Sequence, residues 1–190
     1  MSSTFFSTIV FPLFDGKNIG FYELLWHEDN WINYGEWLAA PREKQNFESE
    51  KILIRKITNS RLIAHYIPYT SYCNTLLFVL KLKPGVARIT YKALLGILNS
   101  GLMGWYFRKK FQINKEDTFP QIMIRDILQF ALPNVSDEIT KRIEQIVDQI
   151  ITLKQNSPPC SSTGLESEID RLVYKLYGLT EEEIKIVEGN

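Results

Sequence analysis

Apolar positions along the chain follow two periods. Leu94, Leu95, Leu98, Leu102, Trp105 and Tyr106 recur at helical spacings and predict one buried helix face. Asn99, Ser100 and Gly101 interrupt that face with poor helix formers, which predicts a kink or a second helix start capped by Ser100. Arg108, Lys109 and Lys110 close the helix, where its negative end favours cations. Thr118, Phe119 and Pro120 then stop the chain, and the run QIMIRDIL reads as a short strand or turn followed by a helix. A second stripe, Ile139, Ile143, Ile146, Val147, Ile150 and Leu153, follows a Ser136 cap with Asp137 and Glu138 in the first turn. Such a helix needs a partner: the body of this domain, a second copy or another subunit. The third set, Leu165, Ile169, Leu172, Val173 and Leu176, sits between a Thr163–Glu166 capping box and Gly178. Thr180 and Glu183 repeat the box for a last short helix.

The first half of the chain reads as strands. Residues 1–14 are β-branched and aromatic, and Pro12 among them suggests an edge strand. Trp31, Tyr34 and Trp37 recur every three residues around Gly35, a pattern of core or packed corner rather than of a base-stacking platform. KILIRKI alternates Ile52 and Ile54 against Lys51, Arg55 and Lys56, a strand with a basic outer face. Asn59-Ser60 makes a turn, RLIAHYIPY gives the next strand, and LLFVLKLK is a continuous apolar run of the kind buried on both faces. Pro84-Gly85 ends it. Strands followed by helices define an α+β fold. The expected division is a strand-rich domain over residues 1–133, a long helix within 134–156 and a helical tail over 157–190, joined by the linker NSPPCSSTG.

With 190 residues, 45% of them hydrophobic, the chain can bury one core with a small helical appendage. No apolar run reaches the roughly 20 residues that span a bilayer, and the first residues lack a signal-peptide pattern, which places the chain in the cytoplasm. Cys73 and Cys160 lie far apart and the two histidines, His27 and His65, show no zinc-ligand spacing, so reduced thiols and no structural metal are expected. The net charge of zero conceals an asymmetry: residues 61–130 carry 10 Lys and Arg against 3 Asp and Glu, while 1–60 carry 6 against 8 and 131–190 carry 6 against 11. A basic middle between acidic ends suits nucleic-acid binding with a protein-facing tail, or a solvated surface with chance clustering.

No catalytic apparatus is complete. A methyltransferase needs a Gly-rich cofactor loop and a polar-Pro-Pro-aromatic turn for the flipped base; Asn156-Ser157-Pro158-Pro159-Cys160 has an extra residue and no aromatic. Glu183-Ile184-Lys185 has a nuclease-like spacing but falls on a terminal helix. There is no phosphate-binding Walker loop and no serine nucleophile elbow, and His65, inside an apolar strand, reads as a satisfied core side chain.

The succession YGEWLAAPRE, KILIRKI, CNTLLFVLKL, YKALLGILNSGLMGWYFRKKF, TFPQIMIRDILQFALP and EIDRLVYKLYGLTEEEIKIVEG, running from Trp31 to Gly189, resembles the TaqI-like C-terminal specificity domain. That domain is the target-recognition part of Type IIG restriction-modification enzymes and related adenine-specific DNA methyltransferases. The resemblance implies sequence-specific recognition of double-stranded DNA, with the duplex held opposite a methyltransferase or endonuclease domain or subunit. S-adenosylmethionine and magnesium are implied for that catalytic partner and no cofactor for this chain. The chain is then either a fragment of such an enzyme or a free-standing specificity protein, and the helix at 136–153 resembles the spacer helix of Type I specificity subunits, which docks catalytic subunits or a second recognition domain.

In this role phosphate contacts position the protein and base-edge contacts specify the sequence. Lys51, Arg55, Lys56, Arg61, Lys92, Arg108, Lys109, Lys110 and Arg125 are the phosphate and groove candidates. Arg42, Lys44, Tyr69, Tyr72 and Asn74 fall in loops, where arginine can pair with guanine and asparagine with adenine. The alternative is a protein-interaction or assembly module acting through the C-terminal helices, including self-association along 136–153.

Overall fold

The structure, a computed structural model, describes residues 9–57, 61–85, 89–110, 122–156 and 161–189. In chain order its strands are β1 (Phe11–Phe14), β2 (Ile19–Gly20), β3 (Glu23–Leu24), β4 (Trp31–Ile32), β5 (Lys51–Arg55), β6 (Ala64–Ile67), β7 (Tyr72–Cys73) and β8 (Leu77–Leu80). The helices α1 (Tyr91–Asn99), α2 (Gly101–Lys110), α3 (Ile124–Ile127), α4 (Asp137–Asn156), α5 (Thr163–Tyr177) and α6 (Glu181–Glu188) follow, so the fold is α+β. The expected turn at Asn59-Ser60, the stop at Thr118 to Pro120, residues 1–8 of the first strand and the linker residues 157–160 lie outside the described residues.

The antiparallel sheet β6-β5-β8 divides two hydrophobic clusters. Ile52 and Ile54 of β5 face α1, α4 and α5 together with Ala64, Leu95, Ile97, Ile143, Val147 and Ile169. Leu53, one residue out of phase, joins Phe14, Ile19, Phe47, Ile67 and Tyr72 beneath the small sheet β4-β1-β7. The alternation of KILIRKI is therefore real, but both faces are covered, and the expected basic outer face is corrected: Lys51 is fully buried.

The helices follow the sequence closely. The break between α1 and α2 falls at Ser100, whose backbone is extended and whose Oγ accepts from the Met103 N–H at 3.3 Å. Ser136 caps α4 through the Ile139 N–H at 3.4 Å. The α4 stripe finds its partner in the same chain, with Ile143, Ile146, Val147 and Ile150 buried against α1 and α5. Each fully buried aliphatic side chain contributes about 1.5–3 kcal/mol, which is what fixes α4 to the domain. Gly96 permits this close approach, because a Cβ there would stand 2.5 Å from Ile143 Cγ2. On α5 the cap is Ser162 rather than Thr163, while Gly178 terminates the helix at φ +68 as expected. Thr180 and Glu183 form the second capping box.

Three strand expectations are corrected. β1 is the middle strand of its sheet, not an edge: Phe11 and Pro12 pair with β4, whereas Leu13 and Phe14 pair with β7, so the missing N–H of Pro12 leaves the β7 ladder intact. β8 is an edge strand in which only Leu77 is buried. Trp31 and Trp37 are 49% and 69% exposed, their indole N–H groups donating to the Glu28 and Asn33 carbonyls; only Tyr34 of the aromatic triplet packs inward.

Candidate nucleic-acid interface

The polar chemistry gathers around the loop that enters β5. Residues Lys44–Asn46 form a 3-10 turn, and Phe47 behind it is buried against Tyr72, with ring centroids 4.8 Å apart. Two ammonium groups hold the loop, Lys51 from within and Lys81 from its exposed side. Lys51 Nζ donates to the carbonyls of Phe47 (2.8 Å), Ser49 (3.0 Å) and Tyr69 (2.6 Å). Lys81 Nζ donates to the carbonyls of Gln45 and Glu48, both at 2.8 Å, and to Ser49 Oγ at 3.4 Å. Burial, and then the nearby Lys81 charge, push the Lys51 ammonium down to about 8. Ser49 itself takes the left-handed conformation at φ 57, a strained position for a residue with a side chain.

Arg42 closes the other side. Its Nη2 donates to the Cys73 carbonyl and, at 3.4 Å, to that of Asn74, while the guanidinium lies 4.6 Å above the Phe47 ring. With the backbone carbonyls turned toward lysines, the side chains of Lys44, Gln45 and Asn46 stand in solvent. Beside them opens a cleft of about 1190 Å³, lined by Gln45, Asn46, Lys81, Lys83, Tyr91 and Lys92 among others, with Glu50 and Glu144 as its carboxylates. Lys92 Nζ is 2.6 Å from Asp148 and 5.9 Å from the Tyr66 ring. The Tyr66 hydroxyl donates to Glu50 at 2.7 Å, and burial together with that bond raises its pKa.

The remaining candidates are dispersed. Lys51 and Tyr72 are buried, and groove contacts from them are corrected by the structure: all three N–H groups of the Lys51 ammonium are taken by carbonyls, and Tyr72 stacks on Tyr34 at 3.9 Å inside the second cluster. Asn74 turns its Oδ1 to the Leu76 N–H at 2.9 Å, and Tyr69 is partly exposed above its Lys51-bound carbonyl. Arg55 is half-buried with its Nε unpartnered, and Lys56 lies 4.9 Å from the Phe78 ring. Arg61 is 3.6 Å from Asp170 and faces the Phe21 ring at 5.8 Å. At the end of α2, Arg108 is half-buried, its pKa lowered by burial and then by Arg61, whereas Lys109 and Lys110 are exposed and Lys110 Nζ donates to the Tyr106 hydroxyl at 2.8 Å. Arg125 is exposed beside Asp126 at 3.7 Å.

Sequence reasoning missed Gln45, Asn46, Lys81 and Lys83. The signal for the first two was a polar run between Pro41 and Phe47; the two lysines were absorbed into an apolar strand pattern. Among the described residues no group of three His, Cys, Asp or Glu could hold a metal ion, and no helix is long and apolar enough to cross a membrane.

The site is thus a braced polar loop beside a lysine-bearing cleft on a two-cluster α+β scaffold. The chain belongs to the family of TaqI-like C-terminal specificity domains, whose profile matches residues 11–132. It is 30% identical over 171 residues to a protein of Methanocaldococcus jannaschii named as a type II restriction enzyme and methyltransferase, covering 87% of this chain and 14% of that protein. Its fold is similar to part of the Type IIL restriction-modification enzyme MmeI, solved in complex with DNA, at a TM-score of 0.51 and 14% identity over 73% of this chain and 20% of that one. The chain thus spans a small share of either protein.

Proposed function

We propose that the domain recognises a sequence in double-stranded DNA and positions the duplex for an adenine-specific methyltransferase or endonuclease activity carried by another domain or subunit, in the cytoplasm. The observation that carries this reading is the braced loop at residues 43–50 beside the lysine cleft, in a chain of the specificity-domain family. The M. jannaschii relative, named for both restriction and methylation, and the DNA-bound MmeI structure support it. Lys44, Lys83, Lys109 and Lys110 are exposed and suited to phosphate; Lys92 is suited to it on exchange of its Asp148 partner. Tyr69 and Asn74 flank the loop as further contacts, with Arg42 bracing it.

The interaction-module alternative is not favoured, because the apolar stripe of α4 is spent on the chain's own core. Titration of a labelled duplex across a salt series tests the proposal. Binding that neutralises Z phosphates weakens with a log-log slope of about −0.9Z. Absent or salt-insensitive binding would contradict it.

A further inference from the structure

We propose that residues 43–50 are the base-reading element of this domain and that Gln45 and Asn46 read adenine within the target sequence. The inference rests on the DNA-recognition reading above and goes beyond it by assigning residues and a base.

Four successive features single out this loop. Its carbonyls at Gln45, Phe47, Glu48 and Ser49 are engaged by Lys81 and Lys51 at 2.8–3.0 Å, so the backbone is held by charge-assisted bonds from both its buried and its exposed side. Ser49 is kept at a strained positive φ. Arg42 is occupied with the Cys73 and Asn74 carbonyls and the Phe47 ring, which makes it a brace rather than a guanine reader. Of the four loop residues that line the cleft, Ser49 accepts from Lys81 and Glu50 from the Tyr66 hydroxyl, while Gln45 and Asn46 are both carboxamides and both exposed. A carboxamide carries one acceptor and two donors, which matches the N7 acceptor and N6 amino donor of adenine in the major groove. Gln45 Nε2 spends one N–H on Glu43, which orients the amide and leaves the second N–H and Oε1 for the base. Rigid support of this kind lowers the ordering cost of recognition, so a loop held by the buried Lys51 and the exposed Lys81 serves specificity better than a free surface loop would.

The test is selection of bound duplexes from a randomised pool by the full chain and by the Gln45→Ala and Asn46→Ala variants, singly and together. Both side chains lie in solvent, so the variants should keep the parent's melting temperature. The parent should enrich a motif with at least one fixed A·T pair, each variant should lose the preference there, and the best parental duplex should bind the double variant on the order of ten- to hundredfold more weakly. Affinity for random duplex should not change, because phosphate contacts are intact. Retention of the same motif at the same affinity by the double variant would overturn the loop assignment while leaving DNA recognition standing, as would a loss confined to G·C positions. A parent that binds duplex without any motif would overturn it as well, and a parent that binds no DNA would overturn both readings.

Discussion

The Asn99 carboxamide pairs with both peptide groups of Ala64: its Oδ1 accepts from the Ala64 N–H and its Nδ2 donates to the Ala64 carbonyl, each at 3.0 Å. Ala64 lies on β6, an edge strand, so Asn99 at the end of α1 completes the pairing that a further strand would have supplied. Both residues are buried. One side chain thus pairs the sheet edge at Ala64, whose carbonyl also accepts from the Tyr22 N–H at 3.4 Å, and fixes the helix that leads to the basic tip of α2. Asn99→Ala would leave a buried donor unpaired and is expected to cost about 2–4 kcal/mol in urea unfolding. A loss below about 0.5 kcal/mol, the size of an ordinary surface change, would contradict the role assigned to the pair.

Gly96 sets the spacing of α1 and α4. Alanine ordinarily gains about 1 kcal/mol over glycine inside a helix, but here its Cβ would fall 2.5 Å from Ile143 Cγ2. Gly96→Ala is therefore expected to destabilise by about 1–3 kcal/mol, and Ile143→Ala in the same chain to cost less than the two changes added separately. Simple additivity in thermal unfolding would show that the contact is not the cause.

His65 gives the fold an acid-sensitive element. Burial holds its imidazole at about 4, below its ordinary 6.5, despite a hydrogen bond to the Tyr22 backbone, and Nδ1 has no partner. The unfolded chain then binds the proton first as pH falls, so stability is full above about 6.5 and declines toward 4, by about 3 kcal/mol at most. His65→Gln should flatten that part of the stability profile. An unchanged slope between pH 6.5 and 4 in the variant would place the sensitivity elsewhere.

Lysines divide into structural and peripheral. Lys51→Met takes the ammonium donor from three carbonyls, of which only that of Phe47 keeps another, the Ser71 N–H, and should lower stability by about 2–3 kcal/mol. Lys109→Ala with Lys110→Ala should leave the melting temperature alone and reduce the salt slope of DNA binding by up to about 1.8, one phosphate per cation. An unchanged slope would remove the α2 tip from the interface.

The helical half was legible in the sequence because burial on one helix face imposes a period that few other structures share: Ser100 and Ser136 cap as expected and the α4 stripe is buried residue for residue over Ile143 to Ile150. The strand half was less so. KILIRKI alternates, yet alternation cannot say whether the second face meets water or a second cluster, and Lys51 reaches back to carbonyls that only the folded loop brings near. Pro12 and the exposed Trp31 and Trp37 show residue preferences overridden by local pairing. Of the site, Lys44, Lys92 and the basic tip were readable as charge. Gln45 and Asn46 were not, since a carboxamide acquires significance only from the lysines that hold its backbone still.

The central claim, that this domain reads DNA sequence, is tested most directly by selecting duplexes from a randomised pool with the purified chain at ~50 and ~200 mM salt, a range over which phosphate contacts alone lose orders of magnitude in affinity. The expected result is an enriched motif that survives the higher salt. Binding that vanishes with salt and leaves no motif, or no binding at either salt, would contradict it.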